Sequence, residues 1–383
     1  MSFLLLIISL LCSNDMRASN VQTMRNVEIS LLTCYPHEEI YALYGHTAIR
    51  YKNSEEGIDL AINYGLFSFQ KPFFILRFIF GLTDYEMGIE PFSSFLEQYD
   101  RYGCAVKEQT LNLSDEDKAR ITEAIEKNYQ IENRTYRYNY FYDNCTTRAR
   151  DIIVDNIKGK VEYNFNNQSK LSFRQMIHQY NNNHKWARFG NDLLLGVEAD
   201  QNTSMQERQF LPENLMNDFA RATVNGKKLV SATTTIVNQT RSETTDYAVT
   251  PTVCFLLLFF VSFLVVFSEW KTKKIFWGYD LLIMAATGLS GVILFMMLFS
   301  QHPTVRCNLQ ILLLNPLPLI FFFITRKNRC KKWWTIWLIL IICFFIGGIW
   351  QSYAEGMYLA GLSVLTRPLA HLLLANRKGY KHE

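Results

Sequence analysis

Phe141-Tyr142-Asp143-Asn144-Cys145-Thr146-Thr147-Arg148 is the stretch on which the reading of this chain turns. Asn144 is an N-cap residue type, and Ala149, Ile152, Ile153 and Asn156 follow on one helical face. Cys145 therefore opens a helix. The partial positive charge at a helix N-terminus lowers a thiol's pKa and favours the thiolate. A second stretch, Tyr44-Gly45-His46-Thr47-Ala48, puts a histidine at the start of a strand, just after a glycine. An imidazole brought to that thiol can take its proton and later return one to a leaving group. The backbone N–H groups of the first helical turn are the expected holders of an oxyanion.

A third group has to fix the ring. Thr47–Lys52 and Ile58–Tyr64 read as strands, and Asn53-Ser54-Glu55-Glu56-Gly57 has turn composition, which predicts a hairpin. Pivoting about Glu55, the hairpin sets His46 across from about Tyr64, so Asn63 or Asp59 can supply an oxygen to the imidazole. Register favours Asn63; a one-residue slip changes the face, and Asp59 is then the alternative. Tyr44, Asn144 and Arg148, inside the two motifs, are candidate substrate contacts. Each residue taken alone has a plainer reading: a helix cysteine as a small core residue, a strand histidine as a satisfied polar group. Cys34 and Cys104 lack the helix-start context and read as structural, with a disulfide between them as one form of that. His37 reads as loop, and His178 and His184 as surface. No Cys/His spacing fits a zinc site, and the chemistry calls for no metal and no soluble cofactor.

Around these motifs, Val27–Thr33 reads as a strand. Ser114 starts a helix, with Asp117 three residues on and Ile121, Ile125 and Tyr129 at helical spacing. Residues 67–80 are crowded with phenylalanine, interrupted by Gln70-Lys71-Pro72 and Arg77; they suit either a membrane interface or a buried core segment. The expected α+β domain occupies 20–221, and the Thr-, Ser- and Asn-rich residues 222–249 read as a linker. With 49% hydrophobic and 19% charged residues, the 383-residue chain is not disordered. A net charge of +4 without a long basic patch argues against nucleic acid as a partner.

Residues 250–383 are a different kind of chain. Five segments, roughly 250–269, 276–299, 309–325, 333–353 and 357–375, approach the ~20 apolar residues that a bilayer core requires. Lys271, Lys273 and Lys274 follow the first, Arg326 to Lys332 the third, and Arg377, Lys378 and Lys381 the fifth. The other two loops carry only Arg306. The positive-inside rule then puts the C-terminus in the cytoplasm and residues 20–249 outside it. Phe3–Leu11 is apolar but too short to span, and residues 1–19 read as a signal peptide or an N-terminal anchor. Three cysteines then fall in the exported domain, so at least one is unpaired within the monomer. Arg367 and His371 lie one turn apart in the last segment beside Pro368. Arg367 suits either a lipid phosphate or a carbonyl freed by the proline. His302, Asn308 and Asn315 suit a substrate groove or the capping of proline-broken helices.

Gly45-His46-Thr47-Ala48, Asp59 with Ile62-Asn63-Tyr64-Gly65, Glu108-Gln109 with Leu111-Asn112-Leu113, and Tyr142 to Arg148 with Arg150-Asp151 resemble a known signature. It is that of the exported domain of the Lnb lipoprotein N-acyltransferases of Bacteroidota. His302-Pro303, Asn308 and Leu314-Asn315-Pro316 are similar to that family's loop between membrane spans. More distantly, the exported domain resembles permuted papain-like proteins, in which histidine precedes cysteine and which include phospholipid-dependent acyltransferases. The resemblance implies a permuted papain-like domain joined to five transmembrane helices in a bacterial inner membrane, with the first domain periplasmic. It implies acyl transfer from a membrane phospholipid, through a Cys145 thioester, to the α-amino group of a diacylated lipoprotein, with His46 as base. Two other readings of the same residues are a membrane-anchored cysteine peptidase or amidase acting on cell-wall or lipoprotein peptides, and a catalytically dead binding protein.

Overall fold

Val27–Cys34 (β1) is buried along nearly its whole length, because it runs through the middle of a sheet covered on both faces. Its neighbours are His46–Asn53 (β2), Ile58–Leu66 (β3), Asp84–Pro91 (β4), Val106–Leu111 (β5), Thr135–Arg137 (β6) and Val230–Val237 (β7). The order is β7-β5-β1-β2-β3-β4-β6, and every pair is antiparallel. The computed structural model describes residues 23–67, 72–165, 170–241, 249–328, 331–374 and 381–382. The proposed signal peptide or anchor, Lys71, Arg377 and Lys378 lie outside them.

The period of two along β1 sorts two cores. Val27, Ile29 and Leu31 join Ile49, Ile62 and Tyr64 on one face, under Ile121, Ala149, Leu215 and Phe219. Those four come from the helices Asp115–Tyr129, Cys145–Val154 and Pro212–Arg221. Leu32 and Cys34 join Ala48 and Ala61 on the other face, under Phe92, Phe95 and Tyr99 of helix Phe92–Tyr102. The expected capping box at Ser114 and Asp117 is present. Residues 222–249 were expected to be a linker, but 230–237 form β7. Threonine favours strands, and the exposure of this strand's middle explains its polar composition: it is an edge.

Contacts divide the chain into two units. The first is Met1–Phe74, Thr83–Lys170 and Thr203–Glu243; the second is Ile75–Leu82, Leu171–Asn202 and Thr244–Glu383. Residues 171–202 therefore belong with the membrane helices and not, as expected, with the sheet. Polar groups explain this. Buried Arg174 binds Asp192, Asp200 and the carbonyls of Leu195 and Gly196. Asn308, Gln310 and Gln351 donate to the carbonyls of Leu193, Asp192 and Leu195.

Among the described residues, four helical stretches of the second unit are long and apolar enough to cross a membrane: Pro251–Thr272, Trp277–Met297, Pro303–Phe322 and Met357–Leu374. A shorter apolar helix, Lys332–Gly347, precedes the last. The third stretch is interrupted at Asn308 and Asn315, whose side chains cap the breaks by accepting from Gln310 N and Leu317 N. Arg367 is wholly buried. Two carboxylates take its guanidinium where a lipid phosphate or a freed carbonyl was expected: Glu269 at 2.8 and 3.0 Å and Asp280 at 2.6 Å. His371 Nε2 also reaches Asp280, at 2.8 Å, and its ring stacks on Trp334.

Removing one member of a buried ion cluster leaves uncompensated charge, at a cost of about 3–5 kcal/mol. Arg367→Met in the detergent-solubilised protein is therefore expected to lower the thermal midpoint sharply. Adding Glu269→Gln and Asp280→Asn should recover much of the loss. A thermal scan in which the single variant melts with the parent would show that the pair carries no net stability.

Candidate active site

Gly45 makes the site possible. Its φ is +76°, and a Cβ there would stand 2.6 Å from the carbonyl oxygen of Cys34. That turn delivers His46 to the first position of β2. The register pairs Ala48 with Asn63 and Ala61 with Glu90. This is one residue off the expected hairpin, which set His46 near Tyr64; Tyr64 instead faces the core. Since alternate residues share a face, His46, Asn63 and Glu90 form a diagonal across three adjacent strands.

The hydrogen bonds follow that diagonal. Asn63 Nδ2 donates to Glu90 Oε1 at 2.7 Å, which turns Asn63 Oδ1 toward the histidine. His46 Nε2 lies 2.9 Å from that oxygen. An amide oxygen only accepts, so Nε2 carries the hydrogen and Nδ1 is left for the thiol. Asp59, the alternative orienter, stands four residues away along β3, ~13 Å at strand rise. It pairs across from Lys52 and is taken by Arg50 at 2.7 and 2.8 Å. Gly65 gives the ring its room, since a Cβ there would lie 3.0 Å from His46 Cε1 and 3.9 Å from Cys145 Cβ.

Cys145 opens helix Cys145–Val154, capped by Asn144. Asn144 Oδ1 accepts from Thr146 N and Thr147 N, both at 2.9 Å. Its Nδ2 donates to the carbonyls of Tyr140 and Phe210, both at 2.9 Å. The cap therefore consumes the very N–H groups expected to hold an oxyanion. It also makes Asn144 a positioning residue for the helix start. Thr47 Oγ1 donates to Thr146 Oγ1 at 3.1 Å, tying β2 to the first helical turn, and Thr146 Oγ1 lies 3.8 Å from the sulfur.

Burial pushes the Cys145 thiol up, but the charge of His46, a hydrogen bond from its ring, the Thr47 N–H and Thr146 bring it down to about 7. Burial likewise disfavours imidazolium in His46; the thiolate, Asn63 and Glu90 outweigh it, and the ring titrates above its ordinary value. Cys34 and Cys104 are free and buried in the sheet core, so the disulfide considered for them is absent. Burial pushes both thiols up. Among the described thiols of this unit, Cys145 is the one that favours thiolate near neutrality.

The pair opens into a cleft of about 1120 Å³, including the space open to solvent. Tyr44, Asn63, Glu90, Asn144 and His37 line it with an aromatic wall that includes Tyr85, Tyr138 and Phe210. Arg148 is absent from the lining. Its guanidinium binds Asp143 at 2.5 and 2.7 Å and lies 4.2 Å over the Tyr136 ring, bracing the turn before the helix. His178, expected at the surface, binds Asp192 at 2.9 Å in the Arg174 cluster. His302, Asn308, Asn315 and Arg367 lie in the second unit. Glu90, His37 and the Thr47–Thr146 bond escaped the sequence reading. Glu90 is recoverable only from strand register, because 44 positions separate it from His46. Among the described residues no group of three or more His, Cys, Asp or Glu side chains is arranged to hold a metal ion.

An activated thiol, an oriented imidazole and an aromatic cleft on an α/β domain, followed by apolar helices, define a membrane protein equipped for thiol chemistry. Residues 16–183 match the family model of the Lnb N-terminal periplasmic domain, and residues 242–379 that of the Lnb transmembrane domain. Together they cover well over half of the chain, which belongs to the Lnb family. No curated protein and no solved structure matches it.

Two measurements check the site. Alkylation of Cys145 by iodoacetamide, followed by mass spectrometry of its peptide, should rise with pH through a midpoint near 7. In His46→Ala burial is no longer opposed by the ring, so the midpoint should move upward from there. Glu90→Ala frees the Asn63 amide to turn. It should slow alkylation at pH 7 by at least about tenfold and raise the midpoint, while Glu90→Asp retains part of the rate. An unmoved midpoint in Glu90→Ala would show that the carboxylate does not act through Asn63.

Proposed function

We propose that this chain is a lipoprotein N-acyltransferase working through a covalent Cys145 thioester. The observation that carries the reading is the lowered thiol of Cys145 beside an imidazole whose far nitrogen is held by Asn63. Membership of the Lnb family and apolar helices in the same chain support a lipid substrate.

Cys145 thiolate attacks the ester carbonyl of a membrane phospholipid. The tetrahedral oxyanion collapses, the C–O ester bond breaks, and the lysophospholipid alkoxide leaves with the proton of His46 imidazolium. S-acyl Cys145 and neutral His46 remain. The α-amino group of a diacylglyceryl-cysteine then attacks the thioester, and His46 takes its proton. Collapse expels the thiolate and leaves an amide on the lipoprotein. With Thr146 N and Thr147 N bound to Asn144, the N–H of Cys145 itself is the donor of this turn assigned to the oxyanion. Asn63 keeps the imidazolium in place through both steps. The domain is read as permuted papain-like, its histidine strand preceding its cysteine helix.

The same reading places the protein in the bacterial inner membrane. The shorter helix Lys332–Gly347 serves as the fourth of five spans, the first unit is periplasmic and the C-terminus is cytoplasmic. Lys271, Lys273 and Lys274 after the first span support that orientation. Both substrates are lipids, and taking acyl chains into water costs ~0.8 kcal/mol per CH₂, which favours an enzyme resident in the bilayer.

The test uses cells depleted of their own N-acyltransferase. The parent chain should restore triacylated lipoprotein N-termini, read by mass spectrometry, and Cys145→Ala and Cys145→Ser should leave them diacylated. Without lipoprotein, acyl-labelled phospholipid should leave a hydroxylamine-sensitive label on Cys145. Triacylation by Cys145→Ala would overturn the thioester route, and cleavage of lipoprotein peptides without acyl transfer would point to a peptidase.

A further inference from the structure

Between β3 and β4 the chain makes an excursion whose chemistry the site does not use. Phe73 and the helix Phe74–Ile79 expose Phe73 to 77%, Ile75 to 73%, Phe78 to 47% and Leu76 to 44%. Four large apolar side chains exposed within six residues are too many for a face in water. The sequence allowed a buried core segment in 67–80; of the helix Phe74–Ile79 only Ile79 is buried.

The excursion is fixed to the membrane half. Residues 75–82 belong to the second unit. Gln301 N donates to the Phe80 carbonyl at 2.9 Å. Gly81 lies so close to this loop that a Cβ would stand 3.0–3.1 Å from His302, Gln301 and Ser300. Those residues begin three positions after Met297, the end of the candidate span Trp277–Met297. A segment bound there sits at the end of a membrane helix, and what covers its apolar side chains is continuous with what covers that helix.

We propose that Phe73–Phe80 is an interfacial finger inserted among phospholipid acyl chains of the outer leaflet, and that it feeds donor lipid to the Cys145 cleft. The connection to the cleft is covalent. Leu66 and Phe67 precede the finger and Tyr85 follows it, and all three line the cleft. The six residues from Phe67 to Phe73 reach ~20 Å at most. The feeding role rests on the proposed acyl transfer; the lipid insertion does not.

The full-length protein in phospholipid nanodiscs tests both. A photoreactive benzoylphenylalanine replaces Ile75 or Phe78. Phe263, exposed on helix Pro251–Thr272, serves as the lipid-facing control, and Ile131, exposed on the sheet domain, as the aqueous one. Irradiation should give phospholipid adducts at Ile75, Phe78 and Phe263, and none at Ile131. Adducts to protein, or none, at Ile75 and Phe78 while Phe263 labels would overturn the insertion. For the feeding role, the double variant Ile75→Ser with Phe78→Ser should lower acyl transfer at limiting phospholipid at least tenfold, with the iodoacetamide rate of Cys145 unchanged. Equal transfer by this variant would overturn that role. Crosslinking reads out lipid contact whether or not transfer occurs, so its result separates this proposal from the proposed reaction.

Discussion

The orientation of one amide governs the chemistry available to this protein. Asn63 can present either its oxygen or its nitrogen to His46, and the two choices give opposite outcomes. With the oxygen inward, Nε2 is protonated and Nδ1 is free to serve the sulfur. With the nitrogen inward, Nε2 must accept, Nδ1 carries the hydrogen, and no ring lone pair faces the sulfur. The Glu90 carboxylate decides between them by accepting from Nδ2. Against burial, the imidazole is raised by Cys145, Asn63 and Glu90, and the thiol is lowered first by the ring that Asn63 holds. The sheet supplies it through register, since a slip of one residue would turn Asn63 to the opposite face.

The membrane half handles its charges in the opposite manner. Arg367, Glu269, Asp280 and His371 are all buried and bound to one another, joining helices Pro251–Thr272, Trp277–Met297 and Met357–Leu369. Ionisable groups in membrane segments invite a functional reading. Here each has a mate, and the cluster specifies which helices meet. In the cleft the ionisable groups face an open cavity. Openness, more than burial, separates the two clusters.

Much of the site was legible because it rests on local rules. Asn144 before Cys145 announced a helix start, and the Asn53–Gly57 turn announced the hairpin that brings Asn63 to His46. What stayed hidden was non-local. Glu90 reaches Asn63 through pairing of β3 with β4 around the finger, and no spacing in the sequence encodes that. The 222–249 segment misled because an exposed edge strand and a linker share a polar, threonine-rich composition. Asn308 and Asn315 looked like groove residues, and they do cap breaks, because a helix interrupted by proline must satisfy its own freed groups before serving a ligand. Arg367 announced itself as costly, but its partners lie 98 and 87 positions earlier in the chain.

If the proposed acyl transfer holds, the lining of the cleft constrains how a phospholipid meets the sulfur. Among the described residues it holds one carboxylate, Glu90, two histidines and many aromatic rings, but no lysine or arginine. A phosphate brought inside would lose hydration and find no lysine or arginine to repay it. In the proposed reaction the ester carbonyl would then reach Cys145 with the headgroup left outside, where water solvates it. The acyl chain, by contrast, gains from aromatic surface. The same lining suits the proposed second step: a primary amine attacks only when neutral, and an aromatic lining disfavours its ammonium form. On the proposed reaction, such a cleft would hold the acyl chain against its rings and leave the headgroup outside, while His46 takes the proton of the attacking amine.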